Sequence, residues 1–266
     1  MRTIGALIRA AWLTAMSYRV QTVISLLTLW VTVIPVYFIA TALQPTMASA
    51  IRNEGTQYFP FMLIGTFAVS LISICVATLP GAVEAGISSG FFEGVLMTRA
   101  PRVAILAGLS AYPILWAVFR GALMLAAGAL FGARIAIGSV VPALGILALI
   151  VVVHWAIGLI GAALVVAFRT SGPLSQAVVV ASTLLGGAYY PTSVIPSWIQ
   201  SLASFVPAAY GLRALRRVLL DGAPVATVSS DVLILAAITA GTLVVGVVAF
   251  RAALGYAGRR GTLSHL

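Results

Sequence analysis

Charge is what this sequence has least of. About 8% of its 266 residues are charged and 62% are apolar, where a soluble domain carries roughly 25% charged residues. A surface so poor in charge stays in solution only against lipid, which excludes a soluble globular domain. Lysine is absent: all fifteen basic residues are arginine. A phosphate-binding P-loop needs its lysine, so ATP hydrolysis through a Walker A motif is excluded too. A single cysteine, Cys75, rules out an intrachain disulfide and a cysteine cluster for metal. Within an apolar run it reads as a small core residue. None of the five acidic residues falls in the middle of an apolar run. That argues against a proton-coupled carrier and against metal or acid–base chemistry inside the membrane. The net charge of +10 would suggest nucleic acid in a soluble protein. Here it points to arginine-anchored loops, and no nucleic-acid partner is expected.

What the chain has instead is long apolar runs near 20 residues, the length that crosses a hydrocarbon core of about 30 Å. They predict six spans, at about Thr22–Leu43, Tyr58–Leu79, Val103–Phe131, Val141–Phe168, Pro173–Tyr189 and Val232–Ala253. The first run is longer than a signal-peptide core and reads as a retained span. Before it, Ile4, Leu7, Ile8, Ala11, Trp12 and Ala15 recur at helical spacing among Arg2, Arg9 and Arg19. Residues 1–20 are therefore predicted to form an amphipathic helix lying in the membrane interface. The predicted fold is an all-α polytopic membrane protein, a single transmembrane domain over residues 1–266. With the N-terminus inside, nine arginines fall on the inner side and five on the outer. Both termini are thus predicted to be cytoplasmic.

Two stretches interrupt the apolar pattern. Residues 80–102 contain Glu84, Gly90, Glu93, Leu96, Arg99 and Pro101, and are predicted to form a cytoplasmic segment. In residues 190–230, Pro191, Pro196 and Pro207 separate apolar pieces too short to cross a bilayer. Proline interrupts helices, and short broken helices at membrane depth read as re-entrant. Trp198 and Tyr210 are aromatics that settle at headgroup level. Arg120 stands alone inside the third run, where a charge costs roughly 2.5–3.5 kcal/mol on insertion scales. It reads as structural, as lining a pathway, or as paired with Glu84 or Glu93. His154 reads as a packed, hydrogen-bonded core residue.

Gly90-Phe-Phe-Glu93-Gly-Val-Leu96-Met-Thr-Arg99-Ala-Pro101 resembles the cytoplasmic segment of permeases of type-2 ATP-binding-cassette (ABC) exporters. The family pattern there is Gly-Thr-Leu-Glu-x-Leu-Leu-x-x-Pro. Gly90, Glu93 and Leu96 are kept, phenylalanines replace Thr and Leu, and the proline falls later. The stretch from Leu185 through Tyr189, Tyr190, Pro191, Pro196 and Trp198 to Gln200 resembles the family's end of span five. Its continuation, Pro207, Tyr210 and Arg216, also follows the family. The resemblance runs from about residue 10 to 255.

It implies six spans, a re-entrant helical pair before the last, a dimeric pathway and two copies of a separate ABC ATPase subunit. The second permease would be identical or paralogous. ATP and Mg would sit on the ATPase, with no cofactor bound by this chain. ATPase coupling would fall to Glu84, Gly90, Glu93 and Leu96, and an outer gate to Tyr189, Tyr190, Pro191, Pro196, Trp198, Pro207 and Tyr210. Arg213, Arg216 and Arg217 would face lipid phosphates or an anionic substrate from an outer helix. The expected function is export of a hydrophobic or amphipathic substrate across a bacterial inner membrane. A polytopic membrane enzyme or assembly factor without transport is the alternative.

Overall fold

The computed structural model describes residues 19–90, 102–168, 170 and 172–260. The predicted N-terminal amphipathic helix lies outside them, as do Glu93, Leu96 and Arg99. The described residues form eight α-helices and no strand: α1 (Arg19–Met47), α2 (Tyr58–Ser88), α3 (Arg102–Leu130), α4 (Val140–Phe168), α5 (Gly172–Leu184), α6 (Ser197–Ala203), α7 (Pro207–Asp221) and α8 (Ser229–Arg260).

Five of these, α1, α2, α3, α4 and α8, are long and apolar enough to cross a membrane. The chain is a polytopic membrane protein. The fifth predicted span differs from expectation. α5 is a 13-residue helix, roughly 20 Å at 1.5 Å per residue, and is too short to cross alone. Irregular chain from Leu185 to Tyr190 extends it. That change follows from Gly186 and Gly187. Gly187 takes a left-handed φ of 71°, and the Ala188 N–H donates to the Thr183 carbonyl at 3.3 Å, which ends the helix in a Schellman-type turn.

α1 and α3 run antiparallel to α2, and α4 and α8 run parallel to it, so one end of the bundle carries the start of α2 with α6 and α7, and the other carries Glu84. α2 and α4 form the centre: 61% of the most apolar stretch of each is buried, against 17% for α1 and α8. The two central helices approach closely at Gly158, where a Cβ would meet the Cys75 carbonyl at 2.7 Å. Cys75 is fully buried there, the core residue its setting predicted. Pro80 stays helical, its ring beside Gly161 of α4. α2 therefore runs to Ser88, well past Leu79, and carries Glu84 on its exposed last turns.

α1 is pinned at the α7 end by aromatic contact. Tyr37 meets Phe59 at 5.2 Å and Phe131 at 5.1 Å between ring centroids. Gln44 of α1 accepts from the first amide of α2, Tyr58, at 2.6 Å, satisfying one of the orphan donors at a helix start. α7 begins with Pro207 at its first turn and ends at Gly222, whose φ is 63°. Its buried face, Leu212, Leu215 and Leu219, packs into the bundle against α4 and α8.

Candidate functional site

The end of the bundle that holds α7 is organised around one side chain. Leu212 and Leu219 on α7 are buried, and a helix brings the residue four after Leu212 onto nearly the same face. That residue is Arg216, which is 1% exposed. It belongs to the group expected to face lipid phosphates, and its helical register places it inside instead.

The guanidinium has five N–H donors in a planar fork. One terminal nitrogen donates to Glu54 Oε2 at 3.2 Å and to the Gly187 carbonyl at 2.8 Å. The other donates to the Phe61 carbonyl at 3.2 Å and the Ala188 carbonyl at 2.6 Å. Its carbon lies 3.4 Å from the centre of the Phe61 ring, a cation–π contact. Nε has no acceptor among the described residues. α7 lies outside the five long apolar helices. Burial lowers the Arg216 pKa to about 10, with the Glu54 charge first among the influences raising it, so the cation persists at neutral pH.

The carbonyls of Gly187 and Ala188 are those released where α5 unwinds. Such groups away from water need partners, and a guanidinium near a helix C-terminus also suits the helix dipole. Tyr58 completes the arrangement by donating its hydroxyl to the Tyr189 carbonyl at 2.6 Å. Gly65 is the residue that lets these parts meet. A Cβ there would collide with the Ala188 carbonyl and lie 2.9 Å from the Arg216 guanidinium.

Above this lock is a polar cavity of about 390 Å³ lined by Asn53, Glu54, Thr192, Ser193, Arg213 and Arg217 with Ala50. Arg213 pairs with Asp231 at 3.1 Å and stacks over Tyr210 at 5.8 Å. Arg217 donates to the Thr227 carbonyl at 3.3 Å. The Tyr210 hydroxyl donates to the Ser204 carbonyl at 2.9 Å, and the Tyr190 hydroxyl to Leu184 at 2.9 Å. Pro191 and Pro207 are buried, whereas Pro196 and Trp198 are exposed. The predicted gate residues are thus brought together with the arginines at this end. Glu84 and Gly90 lie at the other. Gly90 follows α2 with a φ of 70° and leads directly into residues 91–101.

Sequence reasoning gave no site role to Glu54, Tyr58, Phe61, Gly65 or Asp231, although Tyr58, Phe61 and Gly65 lie in a stretch opening the second span that resembles the family. A signal existed for Glu54 and Asp231: with five acids in the chain, a buried arginine has few possible partners. No signal marked the Phe61 carbonyl.

Together the helices, the unwound α5 end and its arginine clamp define a helical membrane domain. The chain matches the family model described as ABC-2 type transporter over residues 3–220, and it belongs to that family. It is also similar to the linearmycin resistance permease protein LnrN of Bacillus subtilis (strain 168), with 29% identity over 188 residues. The aligned part is 70% of this chain and 48% of that protein, so the chain spans about half the length of the curated relative it matches.

The clamp has a measurable signature. Removing one partner of a buried ion pair costs about 3–5 kcal/mol, so Arg216→Gln and Glu54→Gln should each lower the unfolding free energy in detergent substantially. Arg216→Lys should recover only part of it, since an ammonium cannot reproduce the planar fork. The double variant should be less damaging than the two single losses added, by about 1–3 kcal/mol of coupling. Additive losses would show that the two side chains do not act as a pair.

Proposed function

We propose that this chain forms, with a second permease copy or paralogue, the pathway of an ABC exporter driven by two copies of a separate ATPase subunit. The observation that carries the reading is the family match over most of a helical membrane chain, together with the absence of lysine and hence of a Walker A motif. ATP and Mg would be bound by the partner. The printed name of the relative, a resistance permease, supports outward transport. Apolar spans and short loops favour a hydrophobic or amphipathic substrate. The site is a bacterial inner membrane with both termini cytoplasmic, which puts the Glu84 end inside and the Arg216 end outside. In that orientation residues 191–221 dip into the outer leaflet and return.

α2 supplies the mechanical link. It is a 31-residue helix, roughly 46 Å long. Its inner end leads through Gly90 into the segment containing Glu93 and Leu96, which docks on the ATPase. Its outer end carries Tyr58 and Phe61, both holding the α5 terminus and its clamp. A docked segment that contacts the ATPase differently in its open and closed states can bias the helix bundle. A tilt of α2 then reaches Tyr189 and Tyr190 at the outer mouth.

Three measurements test this. The chain should copurify with an ABC ATPase encoded beside it. Glu93→Arg should abolish substrate-stimulated ATP hydrolysis while membrane insertion stays normal; full transport by this variant would remove the coupling assignment. In a Cys75→Ser background, single cysteines at Ser197, Ser204 and Gly222 should all react with an impermeant reagent from outside. Labelling of Gly222 only from the cytoplasm would mean that the segment crosses the bilayer.

A further inference from the structure

Arg120 takes no part in the clamp. It lies on α3, roughly 15 Å along the helix from the Leu130 end at 1.5 Å per residue, and so at mid-membrane. Its Nε is buried without an acceptor among the described residues. The two ion pairs among those residues, Arg213–Asp231 and Arg216–Glu54, do not include it. Of the two suggested partners, Glu93 lies outside the described residues and Glu84 is too distant. The part of α2 beside Arg120 is centred on Ser70, and Glu84 is fourteen residues further along the helix, roughly 20 Å. Asp221 ends α7 at the far end of the bundle. A second copy of the chain would bring the same acids at the same levels.

A cation kept at this depth without a counterion among the described residues calls for an anion from elsewhere. Arg120 lines a cavity of about 60 Å³ between α1, α2 and α3, with Thr32, Thr66, Ser70 and Phe67 among the other walls. That is room for a few ordered waters or for one acid group. The Thr32 and Thr66 hydroxyls already donate to the Thr28 and Met62 carbonyls. The donors left for a ligand are the guanidinium and the exposed Ser70 hydroxyl. Between Ser70 and Glu84, the exposed residues of α2 are Ser70, Ala77, Gly81 and Glu84, while Leu71, Ile72, Cys75, Val76, Leu79 and Val83 are buried. Their spacings of seven, four and three residues place them on one helix face. An open strip therefore runs from the cavity to the Glu84 end.

We propose that the Arg120 cavity binds the acid group, carboxylate or phosphate, of an amphipathic molecule whose apolar part lies along the open face of α2. The proposal deepens the export reading by naming the chemical class of its substrate, yet the binding site stands independently of transport. A guanidinium suits either oxyanion because its fork matches both. The cavity fixes the head and leaves the tail unspecified, which suits a family of related amphipaths rather than one compound.

The test is equilibrium binding to the full chain in nanodiscs of neutral phosphatidylcholine. The probes are a fluorescent long-chain fatty acid, its methyl ester, and a long-chain alkyl phosphate. At least one acid probe should bind saturably, and about tenfold more tightly than the ester. Arg120→Gln should weaken that binding by about tenfold, the scale of one charge-assisted hydrogen bond, and Arg120→Lys by less. Ser70→Leu, which keeps the charge and fills the cavity, should weaken it too, so a folding defect in Arg120→Gln cannot decide the outcome alone. Displacement of the probe by phosphatidylglycerol would identify the occupant as a membrane lipid. Persistence of the probe would identify a free amphipath, and either result upholds the site. Equal binding of acid and ester, or equal binding by wild type, Arg120→Gln and Ser70→Leu, would overturn it. Acid binding by a chain that copurifies with no ATPase would leave the site standing and remove the export reading instead.

Discussion

One buried guanidinium holds the α7 end of this protein together. A membrane protein can end a helix inside the bundle only if the released carbonyls find donors. α5 stops at Leu184 and turns through Gly187, leaving the Gly187 and Ala188 carbonyls inside. Arg216 satisfies both and ties them to Glu54 and to the Phe61 carbonyl of α2. Three stretches of chain distant in sequence, 54–61, 187–188 and the one around Arg216, thus meet at one planar group. A lysine would offer a point charge instead of a fork, and a neutral residue would leave Glu54 buried and unpaired.

The same constraint explains where polarity sits elsewhere. The central helices α2 and α4 touch through glycine and cysteine with no charge between them. His154 directs Nδ1 to the Ile150 carbonyl of its own helix at 2.7 Å, and Trp155 donates to Ser110 at 2.8 Å, so both residues serve packing within and between helices. Among the described residues, formal charge is confined to the two ends of the bundle, Arg120 excepted. A bundle built this way has a closely packed apolar middle with its polar groups at the rims. That suits the proposed arrangement, in which an ATPase docks at one rim and the exit lies at the other.

The membrane architecture was legible because hydropathy over some 20 residues is a strong signal. Predicted spans one to four and six correspond to the five long helices within several residues at most ends. The extension of α2 past Pro80 was not legible, because the space for its ring is made by Gly161 on another helix. The end of α5 was only half legible: the two glycines marked a turn, but not the donor that makes the turn affordable in energy. Arg216 carried the clearest missed signal. Its spacing from Leu212 and Leu219 puts it on the apolar face, while Arg213 and Arg217 fall outside that face. Taken as a cluster, the three looked interfacial; taken by helical register, one of them belongs inside. Glu93 and Leu96 lie in the stretch outside the described residues, so their role rests on the family pattern.

Amide hydrogen exchange tests the clamp most directly, because it reports local opening rather than global stability. In wild type, the amides of Gly186 and Ala188 should be protected, since both donate to carbonyls of α5. In Arg216→Gln, exchange across residues 185–190 should rise by about a hundredfold or more, the scale of a broken buried ion pair, while α4 around Val153 stays as slow as in wild type. No change at residues 185–190, or an equal rise across the whole bundle, would contradict the account.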